Sequence, residues 1–261
     1  MDKIEKAKGI SLKSADAEAD ISMINQHSVK PLKAEDVYCF SIVLCDNDVD
    51  RDIERFPNAS LKALAKLFIG KPVISNHDWS AEKQIARIYA AEVVDGDGQN
   101  ALGEPLKQLK ARAYMLRNET NQPVIDAIDG GILKEVSIGF TVAKKTCSLC
   151  GEPMTLNWRT WNVECPNGHI HGQTYDEGLC VRQLEEPKEA YECSFVPVPA
   201  QRNAGVTKGA KSNGDLIAQL KEAEFSREEA EDAAKVLQLK MQAADDREAR
   251  EKILAENQKY L

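Results

Sequence analysis

The chain lacks the features that mark membrane and secreted proteins. No run in its 261 residues approaches the ~18 to 20 consecutive apolar residues that cross a bilayer. Its first residues, MDKIEKAKGISLKSADAEAD, lack the apolar centre of a secretory signal. We therefore predict a soluble cytosolic protein with no membrane association.

Basic charge is also scarce. Lys and Arg number 34 against 42 Asp and Glu, which gives a net charge of −8. Without a long basic run the chain is a poor candidate for phosphate-driven binding to nucleic acid. Hydrophobic residues make up 43% of the chain, which is enough for a packed core and argues against disorder of the whole chain.

Composition divides the sequence into three parts. Residues 1–35 are polar without a clear period, and we predict a loosely held arm. For residues 36–208 we predict one domain, which is interrupted at 147–180 by a cysteine-rich insertion. Residues 209–261 contain no proline and are rich in Ala, Glu, Lys, Leu and Gln, which predicts a helical tail prone to coiled-coil pairing.

The central part mixes short apolar runs with turn residues. A helix is expected between Pro57 and Gly70, because Leu61, Leu64 and Phe68 share one helical face. A second short helix is expected over 123–128. Strands are expected over 37–45, 72–75, 85–94, 106–115, 135–142 and 191–198. This order predicts an α+β fold built on a small β-barrel of mixed short strands with peripheral helices.

The seven cysteines form the clearest motif. An odd count in a reducing compartment favours metal binding over a disulfide framework. Two close pairs of ligand residues, separated by fourteen residues, suit tetrahedral zinc: Cys147 and Cys150, then Cys165 and His169. His171 and Cys180 are alternatives for the fourth position. Four protein ligands leave no open site, so the predicted zinc is structural and not catalytic.

A second candidate site lies in the segment KEVSIGF. Because side chains alternate along a strand, Val136 and Ile138 should face the core, and Ser137 and Gly139 the opposite side. A hydroxyl beside a glycine leaves room for an extended peptide. A serine nucleophile also needs a base within hydrogen-bond reach, and imidazole titrates near neutral pH.

The chain has only four histidines, and elimination leaves one of them as the base for a serine nucleophile. His27 lies in the arm and two others lie in the insertion, so His77, at the exit of the strand PVIS, is the best-placed candidate. A third group should orient its imidazole. Glu192, on an otherwise largely apolar strand, is the leading candidate for that role, and Asp78 and Asp52 are alternatives.

The motifs NHD, KEVSIGF and YECSFVPVPAQRNAGV, in that order, resemble the bacteriophage prohead (capsid maturation) serine proteases, which share the fold of herpesvirus assemblins. The resemblance covers roughly residues 37–208. Assigned to the matching positions of this chain, the catalytic roles of that family imply that Ser137 is the nucleophile, His77 the base and Glu192 the third catalytic residue. Assemblins use a second histidine in the third place, where this chain has none.

The resemblance also implies a role. It implies an endopeptidase that cleaves scaffold and major capsid proteins, and commonly itself, inside the assembling prohead in the host cytoplasm. We expect the helical tail to dock on scaffold, to form homo-oligomers or to be removed by proteolysis. Two alternatives stay open: a non-catalytic capsid assembly or scaffold protein, and a zinc-ribbon nucleic-acid adaptor, which the acidic charge disfavours.

Overall fold

A computed structural model describes residues 18–207 of the chain. The predicted helical tail over 209–261 and residues 1–17 of the N-terminal arm lie outside the described residues. In the described part no helix is long and apolar enough to cross a membrane.

Twelve strands dominate the described chain, which is of mixed α+β class. They are β1 (Val37–Asp46), β2 (Glu54–Arg55), β3 (Pro72–Ser75), β4 (Ala86–Gln99), β5 (Pro105–Leu116), β6 (Val136–Cys147), β7 (Thr155–Leu156), β8 (Val163–Glu164), β9 (Thr174–Tyr175), β10 (Gly178–Leu179), β11 (Arg182–Phe195) and β12 (Gly205–Val206). The helices are α1 over 18–25, α2 (Asn58–Phe68) and α3 (Gln122–Asp129). Short 3-10 turns cover Ala34–Asp36 and Ala81–Lys83.

Eight strands form one mixed sheet. Its order is β12-β1-β5-β4-β3-β11-β2, and β6 pairs with β11. Strand β11 is the organising element, because it pairs in parallel with β3 and antiparallel with β6 over most of its length. The candidate serine, histidine and glutamate are thereby carried on three adjacent segments of one sheet.

The expected small closed barrel is not formed. Strand β12 approaches the start of β6 through one bridge between Glu135 and Gly205, next to which Val206 N donates to Lys134 O at 2.8 Å. Because β12 has only two residues, it is too short to make a closing ladder with β6. Nor are all strands short, since β4 and β11 have 14 residues each.

The core lies between the sheet and helix α2. This helix buries Leu61, Leu64, Ala65 and Phe68, the face that the sequence pattern predicts. It ends before Gly70, whose φ of 81° is a conformation that favours glycine. Around it the sheet contributes large buried side chains such as Phe40 and Leu109. Packing of α2 on β11, β4 and β5 fixes the sheet that carries the candidate site.

The expected elements are found with shifted boundaries. Both predicted helices and all six predicted strands are present. The last strand differs most, because it begins at Arg182 instead of near residue 191. Its first half contains Pro187 and several charged residues, so no apolar run marks it, and pairing with β6 holds it extended. The helical residues 18–25, which bury Ile24, have no counterpart in the sequence prediction.

Candidate active site and metal cluster

A strained turn after β3 presents His77. Asn76 and His77 have φ values of 54° and 53°, the left-handed region that residues other than glycine seldom adopt. Two hydrogen bonds to β11 hold the turn: Asn76 N donates to Phe195 O at 2.9 Å, and His77 N donates to Ser194 Oγ at 2.8 Å. Since Ser194 is fully buried, the backbone of His77 is anchored to the sheet.

The imidazole of His77 is held by a carboxylate. His77 Nδ1 lies 2.8 Å from Glu192 Oε1, and an ionised carboxylate can only accept, so Nδ1 carries the proton and donates it. The glutamate side chain is 3% exposed and that of the histidine 43%. Nδ1 is therefore engaged on the buried side of the ring, and Nε2 is left for another partner.

Burial controls the charge of Glu192. It raises the pKa of this carboxyl above its ordinary value of 4.5, and the hydrogen bond and charge of His77 partly oppose that rise. The second oxygen, Oε2, is buried and has no hydrogen-bond partner within the described chain. The carboxylate thus depends on the imidazole for its stabilisation, which keeps the two side chains together.

Gly139 makes room for this carboxylate. A Cβ built at Gly139 would lie 2.4 Å from Glu192 Oε1, far inside any allowed contact. We expected this glycine to leave space for an extended peptide. The structure gives it a further role, because only a residue without a side chain lets the glutamate lie across β6 toward His77.

Ser137 lies beside this pair on the same face of the sheet. It is directly opposite Ser194 in the β6–β11 ladder, just as Gly139 is opposite Glu192. Directly opposed residues have Cβ atoms about 4.5–5.5 Å apart. Ser137 therefore neighbours the residue that anchors His77. Within residues 18–207 no hydrogen bond of 3.5 Å or less joins its hydroxyl to the imidazole.

Neither alternative carboxylate takes the place of Glu192. Asp78 is exposed and accepts a hydrogen bond from Ser80 N at 3.0 Å. Asp52 is exposed in the loop after β1, where its amide is held by Asp50. Cys193 is fully buried in the core, as the strand alternation predicts. Of the three candidate carboxylates, the structure brings only Glu192 to the ring of His77.

The predicted metal ligands converge in the insertion. Ligand atoms of Cys147, Cys150, Cys165 and His169 all lie within 4.8 Å of one another. The Sγ atoms of Cys150 and Cys165 are 3.6 Å apart, and His169 Nδ1 lies 3.6 Å and 3.5 Å from Cys147 and Cys165. Zn–S bonds of ~2.3 Å and Zn–N bonds of ~2.05 Å at tetrahedral angles require S···S of about 3.8 Å and S···N of about 3.6 Å. The cluster can hold a metal ion, and its geometry is compatible with zinc.

Two glycine turns shape the cluster. Gly151, which follows Cys150, and Gly168, which precedes His169, have φ values of 76° and 82°, the conformation that tight turns reserve for glycine. In these turns Gly151 N donates to Cys147 O at 2.8 Å, and Gly168 N donates to Cys165 O at 2.9 Å. The local backbone therefore directs each pair of side chains toward one point.

The alternative ligands have other surroundings. His171 Nε2 lies 3.0 Å from the carbonyl oxygen of Ile53, which ties the insertion to the loop before β2. Cys180 Sγ lies 3.7 Å from Cys147 Sγ, but the cysteine is not part of the four-atom cluster. Burial, and after it the hydrogen bond with Cys147, raises the pKa of Cys180 to about 12.

The metal cluster and the candidate triad lie at opposite ends of one ladder. Cys147 pairs with Arg182 at one end of β6–β11, and Ser137 pairs with Ser194 at the other. Ten residues of strand at ~3.3 Å each place the two about 30 Å apart. The insertion therefore extends from the sheet without displacing the Ser137 and Glu192 strands, and a metal ion held by the cluster would lie far from Ser137.

The arrangement has the parts of an acyl-transfer site. A partly buried hydroxyl and a half-exposed imidazole share one face, and a buried carboxylate orients the ring. Sequence reasoning missed Ser194, whose hydroxyl fixes the His77 amide. Its position two residues after Glu192 puts it on the same face, and that alternation was the available signal.

Searches against protein-family models, curated proteins and solved structures found no match to this chain.

Proposed function

We propose that the chain is a serine endopeptidase in which Ser137 is the nucleophile, His77 the general base and Glu192 the orienting carboxylate. The observation that carries the proposal is the 2.8 Å contact between His77 Nδ1 and Glu192 Oε1 beside the Ser137 strand. A buried carboxylate fixes the tautomer with Nε2 unprotonated, which is the form that can accept a proton.

The proposed reaction is acyl transfer through a covalent intermediate. The Ser137 oxygen attacks the peptide carbonyl while His77 Nε2 takes the hydroxyl proton, and the imidazolium is stabilised by Glu192. His77 then gives that proton to the departing amine. A water molecule, deprotonated by the same nitrogen, attacks the acyl-enzyme and releases the product acid together with Ser137.

We also propose that Cys147, Cys150, Cys165 and His169 bind a structural zinc ion. Three thiolates and one imidazole are the donors that zinc prefers, and four protein ligands leave no position for a substrate. The separation of about 30 Å along β6 supports a role in folding the insertion, and none in the chemistry at Ser137.

The resemblance to prohead proteases suggests where this activity is used. We propose that the substrates are phage scaffold and major capsid proteins in an assembling prohead, and that the chain cleaves itself. We further propose that residues 209–261 dock on scaffold helices. Deletion of residues 210–261 should then reduce packaging of the protease into proheads, and unchanged packaging would refute docking.

The first test is cleavage by the purified full chain. Wild-type protein should cleave itself or unfolded proteins, and Ser137→Ala should abolish new fragments. Thr141→Ala is the matched control, because Thr141 is an exposed residue of the same strand and face. Capsid maturation that proceeds normally with Ser137→Ala would instead support the non-catalytic assembly protein.

A further inference from the structure

An exposed aromatic pair lies next to the candidate triad. Trp79 is two residues from His77, and its side chain remains 68% exposed. Its ring packs against Tyr191, the neighbour of Glu192, with centroids 5.3 Å apart and planes tilted by 46°. The two packed rings give an apolar surface beside the candidate triad, against which a ligand side chain can be buried.

The loop that carries Trp79 is held in place before any ligand arrives. Asp78 N donates to Ser75 O at 3.1 Å, and Ser80 N donates to the Asp78 carboxylate at 3.0 Å. Lys83 N then donates to Ser80 O within the following 3-10 turn. Because these bonds follow directly on the anchored His77, the tryptophan has a defined position relative to the imidazole.

An independent irregularity places Tyr191. The β6–β11 register shifts between Ala190 and Glu192, so Tyr191 is the extra residue of a β-bulge. Bulges redirect side chains and are frequent beside active sites. Two separate departures from regular structure, the left-handed turn at His77 and this bulge, are therefore needed to bring the two rings together.

We propose that Trp79 and Tyr191 form a subsite that binds a large apolar side chain of the peptide substrate, aliphatic or aromatic, within a few residues of the cleaved bond. This inference rests on the proposed peptidase function. Two tilted rings offer a flat apolar surface whose burial by such a side chain is favourable in proportion to the area covered. The carboxylate of Asp78, which precedes Trp79 in the sequence, accepts a hydrogen bond from Ser80 N at 3.0 Å.

The test compares cleavage sites on unfolded bacterial cell proteins, with new N-termini tagged and identified by mass spectrometry. Full-length wild type should show one position near the cleaved bond enriched in Leu, Ile, Met, Phe, Tyr or Trp. Trp79→Ala should reduce that enrichment about tenfold or more, and Trp79→Phe should restore most of it. Trp158→Ala is the matched control, since Trp158 is 71% exposed and packs edge-to-face on Trp161 in the insertion.

Each contrary result has a distinct meaning. An unchanged preference in Trp79→Ala overturns the subsite and leaves the peptidase intact. A Trp79-dependent preference for Lys or Arg overturns the apolar assignment. If wild type produces no cleavage that Ser137→Ala lacks, the peptidase proposal fails and the subsite fails with it.

Discussion

Gly139→Ala is the sharpest perturbation of the candidate site. The added methyl carbon would lie 2.4 Å from Glu192 Oε1 and 3.2 Å from its Cδ. An ordinary carbon–oxygen contact is about 3.4 Å, so the carboxylate must retreat by about 1 Å. A shift of that size is enough to break the 2.8 Å hydrogen bond to His77.

The cost to catalysis follows from that displacement. Misplacing a catalytic group by about 1 Å costs roughly 100-fold in rate, and losing the orienting carboxylate outright costs up to about 10,000-fold. We expect Gly139→Ala to fall between these limits. In a Glu192→Ala background the methyl group meets no carboxylate, so the same substitution should change the rate by less than about threefold.

The assay is a double-mutant cycle on peptide hydrolysis. It compares wild type, Gly139→Ala, Glu192→Ala and the double variant, with thermal unfolding recorded for each. Equal losses in both backgrounds would show that Gly139 serves only as space for the peptide. Full activity in a stably folded Gly139→Ala protein would refute the geometric reasoning altogether.

Three further predictions concern stability and metal content. Ser194→Ala should cost about 1–3 kcal/mol in urea unfolding, because it leaves a backbone amide without its acceptor, while Ser137→Ala should change stability by less than about 0.5 kcal/mol. Burial raises the pKa of Glu192 above 4.5, so its contribution to stability is full below pH 4.5 and is lost as the pH rises through the folded-state pKa. The free energy of unfolding of Glu192→Gln should therefore gain on that of wild type as the pH rises above 4.5. Elemental analysis should find one zinc per chain, lost in Cys165→Ser and retained in Cys180→Ser.

Local patterns were enough to select the candidate site residues. Because side chains alternate along a strand, Ser137 and Gly139 were expected on one face of β6. Because the chain has few histidines, elimination selected His77 as the base. The cluster of Cys147, Cys150, Cys165 and His169, which could hold a metal ion, follows from the spacing, because each pair shares one tight turn that brings its two side chains together. These predictions needed no knowledge of distant contacts.

Features that depend on strand pairing could not be predicted in the same way. The role of Gly139 follows from the β6–β11 register, which sets Glu192 directly opposite it and joins segments some fifty residues apart. The bulge at Tyr191 belongs to the same ladder. The expected barrel failed for a related reason, since closure needs a ladder between β6 and β12, and β12 is only two residues long.

Labelling by a fluorophosphonate, which phosphonylates activated serines, tests the central claim most directly. We expect a single adduct on Ser137, located by mass spectrometry of the full chain, that forms at least about 100-fold more slowly in His77→Ala. No adduct on folded wild type, an adduct on a different serine, or equal labelling rates with and without His77 would contradict it.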